Sequence, residues 1–297
     1  MDREPVTGGS VAVLGGVGLG DSLIEMVFAQ NALRCGYQTT IYSNVLIPLA
    51  AWFPHHRIVP LLASELMEVE LAGYDRIIST HLPALPLSQQ TLDRWVSYEQ
   101  MCHNDRTMVE NLMAISCRFF ATDNPTADNG IVAPDGFVRR RFSNRVCIHP
   151  TSAEVHKNWL PERFLQLAHR LAVAGFDIFF IMSAKELVLW QPIINDDFPL
   201  RGFADIADCA GFIYESGYFI GNDSGGAHLA SCLGTPTVSI HGRTKKSRKW
   251  RPGWGESEVV TPMVNLIGSF LRQRYWKYFL PVISVERGFF KLVRKTV

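Results

Sequence analysis

The sequence predicts an α/β protein built from two consecutive doubly wound domains, and three observations carry that reading. A short apolar strand at Val11–Leu14 runs into a glycine loop, Gly15 to Gly20, and then straight into a helix. The same strand-to-helix order starts again at Val146–His149. Between the two lies the turn-rich stretch Pro125 to Gly136, followed by Arg139-Arg140-Arg141, where a linker is expected. Alternating strands and helices imply parallel sheets covered on both faces. An eight-fold barrel fits less well, because the linker-like stretch falls in mid-chain. The expected divisions are 1–138, 139–270 and a basic, aromatic helical tail at 271–297.

Each element has a local cause. Ser22 and Glu25 have capping-box spacing, and Leu23, Met26, Val27 and Leu33 keep helical periodicity until Gly36. Thr39–Tyr42 restarts a strand, with shorter strands expected near Arg57–Val59 and Arg76–Ser79. Pro83 to Ala121 reads as mostly helical, from the spacings Trp95, Tyr98, Met101 and Met108, Leu112, Ile115. In the second half, Pro161 and Glu162 open an amphipathic helix that Gly175 closes. Phe176 to Met182 is a strongly apolar strand, and Ala184 to Ile194 and Phe203 to Ala210 read as helices. Tyr218-Phe219-Ile220 leads into Gly221-Asn222-Asp223, after which Ser224 is placed to cap a helix that Gly234 and Pro236 end.

Composition narrows the class. Hydrophobic residues at 47% and charged residues at 19% describe a folded globular chain, not a disordered one. Lys+Arg 29 against Asp+Glu 28 leaves +1, which argues against a polyanionic partner for the chain as a whole, nucleic acid included. Basic residues concentrate locally in Arg243 to Arg251 and Arg272 to Lys295. The six cysteines are scattered without a CxxC, which favours reduced thiols over a zinc site, with Cys147 and Cys209 as small core residues. No apolar run reaches membrane-spanning length, and Met1-Asp2-Arg3-Glu4-Pro5 is too polar for a signal peptide. A cytoplasmic location is expected.

Three stretches carry candidate chemistry. The turn at Asp223-Ser224-Gly225-Gly226-Ala227-His228 points helix N–H groups and a dipole at one spot, which suits a phosphate. The loop His149-Pro150-Thr151-Ser152 to Lys157 would follow a strand end, where open α/β sheets bind ligands. Lys157 fits either a solvated loop lysine or a cation on a phosphate, with Thr151 and Ser152 as hydrogen-bond donors. His149 and His156 lack a third ligand at useful spacing, so no metal site is expected. The loop containing Gly16, Gly18 and Gly20 lacks the Gly-Lys-Ser/Thr ending of a P-loop, and its spacing departs from the dinucleotide fingerprint. Asp21 fits either a helix-capping carboxylate or a general base acting on a sugar hydroxyl.

Together, Gly18-Leu19-Gly20-Asp21, His149-Pro150-Thr151-Ser152 with Lys157 and Trp159, and Asp223 to His228 with Leu233-Gly234-Thr235-Pro236-Thr237 resemble the heptosyltransferases of the lipopolysaccharide inner core. That is the ADP-heptose-using glycosyltransferase family 9, and the resemblance spans roughly residues 10–255. It implies a GT-B fold, with two Rossmann-like domains facing a cleft, and inverting transfer without a metal or other cofactor. Asp21 takes the family's general-base position and Lys157 the position facing the donor diphosphate. Thr151, Ser152, Asp223, Ser224, Gly225, Gly226 and His228 fall at the donor nucleotide, and Glu186 where a ribose-binding or base-binding Glu stands. The implied partners are ADP-heptose and an anionic glycolipid or glycan acceptor, with possible peripheral contact at the inner membrane. The family usually has Gly where this chain has Thr151, and glycines where it has Met182-Ser183-Ala184. A GT-B transferase using another nucleotide sugar and a non-catalytic sugar-nucleotide-binding relative are the competing readings. In transferases of this type a C-terminal helix commonly packs on the first domain; an interfacial helix at the membrane is the other reading of Arg272 to Leu280.

Overall fold

A computed structural model describes residues 8–242, 244–263 and 274–296; the side chains of 244–246 are outside that description. The chain divides into two compact units, Met1–Val132 and Ala133–Val297.

In the first unit, β1 (Ser10–Leu14), β2 (Gln38–Tyr42), β3 (Arg57–Val59), β4 (Arg76–Ser79) and β5 (Trp95–Ser97) form a parallel sheet. Its order is β3-β2-β1-β4-β5. The strand order reverses between β1 and β4, so a crevice opens beyond their carboxyl ends. Helix α1 (Leu19–Arg34) leaves the end of β1, with α2 (Met67–Leu71) and α3 (Gln89–Asp93) further along. Helix α4 (Met108–Phe119) packs on α1 and starts with a true capping box. There Thr107 Oγ1 accepts from the Glu110 amide at 3.1 Å, and Glu110 Oε2 accepts from the Thr107 amide at 2.6 Å.

The expected helix over Pro83 to Ala121 is interrupted. Trp95 and Tyr98 do not share a helical face; Trp95–Ser97 is the edge strand, paired with Ile77–Ser79. Trp95 is buried and donates its indole N–H to Ser79 Oγ at 2.7 Å, so tertiary burial overrides the i, i+3 spacing.

The second unit repeats the scheme. Its strands are β6 (Phe142–His149), β7 (Asp177–Ser183), β8 (Leu200–Phe203), β9 (Ser216–Asn222), β10 (Thr237–Ile240) and β11 (Ser257–Val260). The all-parallel order is β11-β10-β9-β6-β7-β8, with the reversal between β6 and β9. Every residue of β9 is buried, as a central parallel strand requires. The helices are α5 (Pro161–Val173), α6 (Leu187–Ile194), α7 (Ile206–Tyr214), α8 (Gly225–Cys232), α9 (Thr244–Trp250) and α10 (Val282–Thr296). Residues 200–203 form an edge strand where a helix start was expected, and α7 begins at an Asp205 cap instead.

Helix α10 packs on β10, β11 and α5 of its own unit. Val285, Phe289 and Leu292 are fully buried in the second unit's core, each contributing about 1.5–3 kcal/mol. Arg163 of α5 donates to the carbonyls of Lys277 (2.9 Å) and Tyr278 (3.0 Å), which fastens the approach to this helix. Arg272 and Gln273 lie outside the described residues. The six cysteines are free thiols, and Cys147 and Cys209 are buried as expected.

Candidate functional site

In the first unit Asp21 stands in the opening turn of α1, the helix that follows β1. The glycines before it make room for this side chain. A Cβ on Gly16 would fall 2.8 Å from Asp21 Cβ, and one on Gly18 would fall 3.0 Å from Asp21 Oδ2. Gly18 is the N-cap, so the capping-box reading of Ser22 and Glu25 is corrected: both lie inside the helix. Ser22 Oγ donates back to the Gly16 carbonyl at 2.9 Å.

Glu25 has a different task. Its carboxylate is buried and accepts from the Gly16 amide (2.6 Å), Thr80 Oγ1 (2.8 Å) and the Tyr98 hydroxyl (2.7 Å). Burial pushes its pKa up to about 7 against these hydrogen bonds, with the charge of Asp21 adding to the rise. No spacing in the sequence announces this network, because its members are 9, 55 and 73 residues apart.

In the second unit the remaining candidates converge beyond the ends of β6 and β9. The loop after β6 is held by Asn222, the last residue of β9. Its Nδ2 donates to the Pro150 carbonyl at 2.7 Å, and its Oδ1 accepts from the Trp159 amide at 3.0 Å. That loop presents Lys157, whose Nζ lies 2.6 Å from Glu154 Oε1 and 4.0 Å from Asp223 Oδ2. Ser152 Oγ is 2.6 Å from Asn158 Oδ1 and 2.9 Å from the Glu154 carbonyl, so its proton is engaged within the loop. Thr151 is buried nearby.

Asp223 faces a second partner that the sequence did not single out. His241, just past β10, is buried with Nδ1 3.7 Å from Asp223 Oδ2 and Nε2 2.9 Å from Ser239 Oγ. Burial holds the His241 imidazole below its usual range, and Lys157 adds to that effect while Asp223 opposes it. His228 in α8 is likewise pushed down to about 4, mainly by burial, so both rings are neutral at pH 7.

Ser224 is the N-cap residue of α8, as expected, but its side chain makes no capping bond. Its Oγ is buried without a hydrogen-bond partner among the described residues, as are His149 Nδ1 and His228 Nδ1. Such orphans are expensive and ask for a reason. Gly225 and Gly226 open the helix, so their amides fall outside the intrahelical ladder. Gly226 lies close against His149: a Cβ there would sit 3.4 Å from Nδ1. On the other side of β6, Glu186 stands at the N-cap position of α6, and its side chain accepts from the Ser183 amide (2.9 Å) and hydroxyl (2.6 Å) instead of capping the helix. Burial works against its charge, but the Ser183 bonds prevail and hold the carboxyl below its usual range.

The arrangement therefore offers an ammonium, two neutral imidazoles, unpaired hydroxyl and ring atoms, and a helix N-terminus at the switch point of a parallel sheet. Helix N-termini and switch points of parallel sheets suit anionic groups in general. Each unit is Rossmann-like, with its candidate residues at a reversal of strand order in a parallel sheet.

The sequence pattern of glycosyltransferase family 9 (heptosyltransferase) matches residues 105–265, more than half of the chain. The chain belongs to this family. Lipopolysaccharide heptosyltransferase 3 of Escherichia coli (strain K12) is 29% identical over 121 residues, 38% of this chain and 35% of that relative. The match thus spans about a third of the curated relative's length. Among solved structures, E. coli ADP-heptose lipopolysaccharide heptosyltransferase II superposes with a TM-score of 0.72 at 15% identity, covering 97% of this chain and 99% of the other. E. coli heptosyltransferase WaaC with ADP gives 0.72 at 14% identity, covering 95% and 99%. At these identities the superpositions establish the fold, which is GT-B.

Proposed function

We propose that the protein is an inverting glycosyltransferase that moves a heptose from ADP-heptose to a lipopolysaccharide-type glycan. The observation that carries this reading is the convergence of Lys157 and the opening amides of α8 with buried, unpartnered Ser224 Oγ, His149 Nδ1 and His228 Nδ1. Family membership and the ADP in the structurally similar WaaC support the choice of donor. In the proposed reaction the acceptor oxygen attacks the anomeric carbon while its proton passes to Asp21. The bond from that carbon to the diphosphate oxygen breaks, and ADP departs with the electron pair. Lys157 and the Gly225 and Gly226 amides stabilise the charge that grows on the diphosphate, so the leaving group needs no metal. Asp223 and His241 steer the Lys157 ammonium, and Glu186 is assigned to the ribose or base.

Nucleotide selectivity tests the donor. ADP or ADP-heptose at 100 times its Kd should stabilise the fold by about 2.7 kcal/mol, seen as a raised melting temperature. GDP, UDP and CMP at equal concentration should have little effect. Selective stabilisation by one of those would replace ADP as the donor nucleotide.

The acceptor is assigned as an anionic glycolipid at the cytoplasmic face of the inner membrane. Among the described residues no helix is long and apolar enough to cross a membrane. Tyr275, Tyr278, Phe279 and Ile283 are exposed around Arg274 and Lys277, a mix suited to an interface. Vesicles of anionic phospholipid should co-sediment the protein in a salt-sensitive manner, and Tyr278→Ser with Phe279→Ser should weaken this. Equal binding to neutral vesicles would contradict the assignment.

A further inference from the structure

We propose that Glu25 is a positioning residue for Asp21, acting through the glycine loop and tied to the sheet by Thr80 and Tyr98. The inference rests on the transferase reading given above and extends it to a residue outside the family motifs quoted for this chain.

The geometry forms a continuous chain of contacts. Tyr98, just past β5, and Thr80, just past β4, both donate to Glu25 Oε1, while the Gly16 amide donates to Oε2. Thr80 Oγ1 and the Tyr98 hydroxyl also lie 2.8 Å apart, closing a triangle. Gly16 in turn packs on Asp21 so closely that a Cβ would meet its Cβ at 2.8 Å. A shift of the Gly16 backbone therefore moves the wall against which Asp21 rests. Placing a charged group at the core end of α1, one turn after Asp21, is costly unless something uses it. An apolar residue there would satisfy the helix equally well.

Protonation state enters because the carboxylate accepts from three donors. Adding a proton turns one of its oxygens into a donor: on Oε1 it reverses a bond with the Thr80–Tyr98 hydroxyl pair, and on Oε2 it weakens the bond from the Gly16 amide. The titratable groups that bear on Glu25 are Tyr98 and Asp21. Burial and the neighbouring Glu25 hold the Tyr98 hydroxyl well above its usual range, so it stays a donor throughout. With Glu25 titrating near 7, the intact network forms as pH rises through neutrality. Turnover should therefore fall on the acid side.

The test is a pH profile of kcat from about pH 5.5 to 8.5, measured as acceptor-dependent ADP release, for parent, Glu25→Gln and Tyr98→Phe. Glu25→Gln should lower kcat about 10–100-fold, the scale of a small misplacement of a reacting group. It should also flatten the acid limb, with the ADP-induced melting shift unchanged. Tyr98→Phe removes a bond that favours the carboxylate, so the limb should move to higher pH; this variant carries the test if Glu25→Gln fails to fold. A parent that turns over beside variants with the parent's kcat and pH limb overturns the inference alone. A parent with no ADP release from any glycan acceptor overturns the transferase reading, and this inference with it.

Discussion

Asp21→Asn is expected to lower kcat by about 10²–10⁴-fold, the range for loss of a general base. The exchange keeps size and shape, so the close fit against Gly16 and Gly18 survives. The residues proposed to hold the donor belong to the second unit, and the rise in melting temperature with ADP should match the parent's. A kcat loss without a binding loss separates a group acting on the acceptor proton from one that holds the nucleotide. Near-normal turnover in this variant would remove Asp21 from its assigned role.

Lys157→Gln is expected to cost about 10²–10³-fold in kcat, the scale of removing one charge-stabilising group from a leaving oxygen. Here the melting shift with ADP should shrink as well, because in the proposed reaction the ammonium faces the same diphosphate before and during the transfer. The contrast with Asp21→Asn distinguishes the two roles. Glu154 and Asp223 already flank Lys157, so its removal also leaves two carboxylates without their shared cation. Circular dichroism melts of the variant without nucleotide should therefore accompany the kinetics. Parent-like kcat and parent-like ADP stabilisation would contradict the assignment.

Where the chain carries out local work, its sequence was readable. The glycine loop before Asp21 and the turn from Asp223 to His228 each announce a strand, a tight reversal and a helix start within a dozen residues. Both sit at a reversal of strand order, which is where the site candidates gather in each unit. What escaped was long-range. Glu25 looked like a capping partner of Ser22 three residues away, yet its hydrogen bonds reach Thr80 and Tyr98. His241 was not singled out, and the pairing of β9 with β10 sets it beside Asp223. Asn222 stood at an expected strand end, but that its amide fastens the loop bearing Lys157 rests on contacts 63 and 72 residues away. Trp95 followed a helical spacing and became an edge strand because Ser79 accepts its indole proton. The tail's basic and aromatic composition left an interfacial helix and a packed one both open, and Val285, Phe289 and Leu292 place one face of it in the second unit's core.

In the proposed reaction heptose leaves ADP for a glycan acceptor. Its most direct test incubates the purified protein with ADP-heptose and a heptose-bearing core oligosaccharide, and reads the acceptor by mass spectrometry alongside released ADP. One added heptose per acceptor, ADP in equal amount, and inverted configuration at the new linkage are expected. An acceptor of unchanged mass, with ADP-heptose intact or merely hydrolysed, would contradict it.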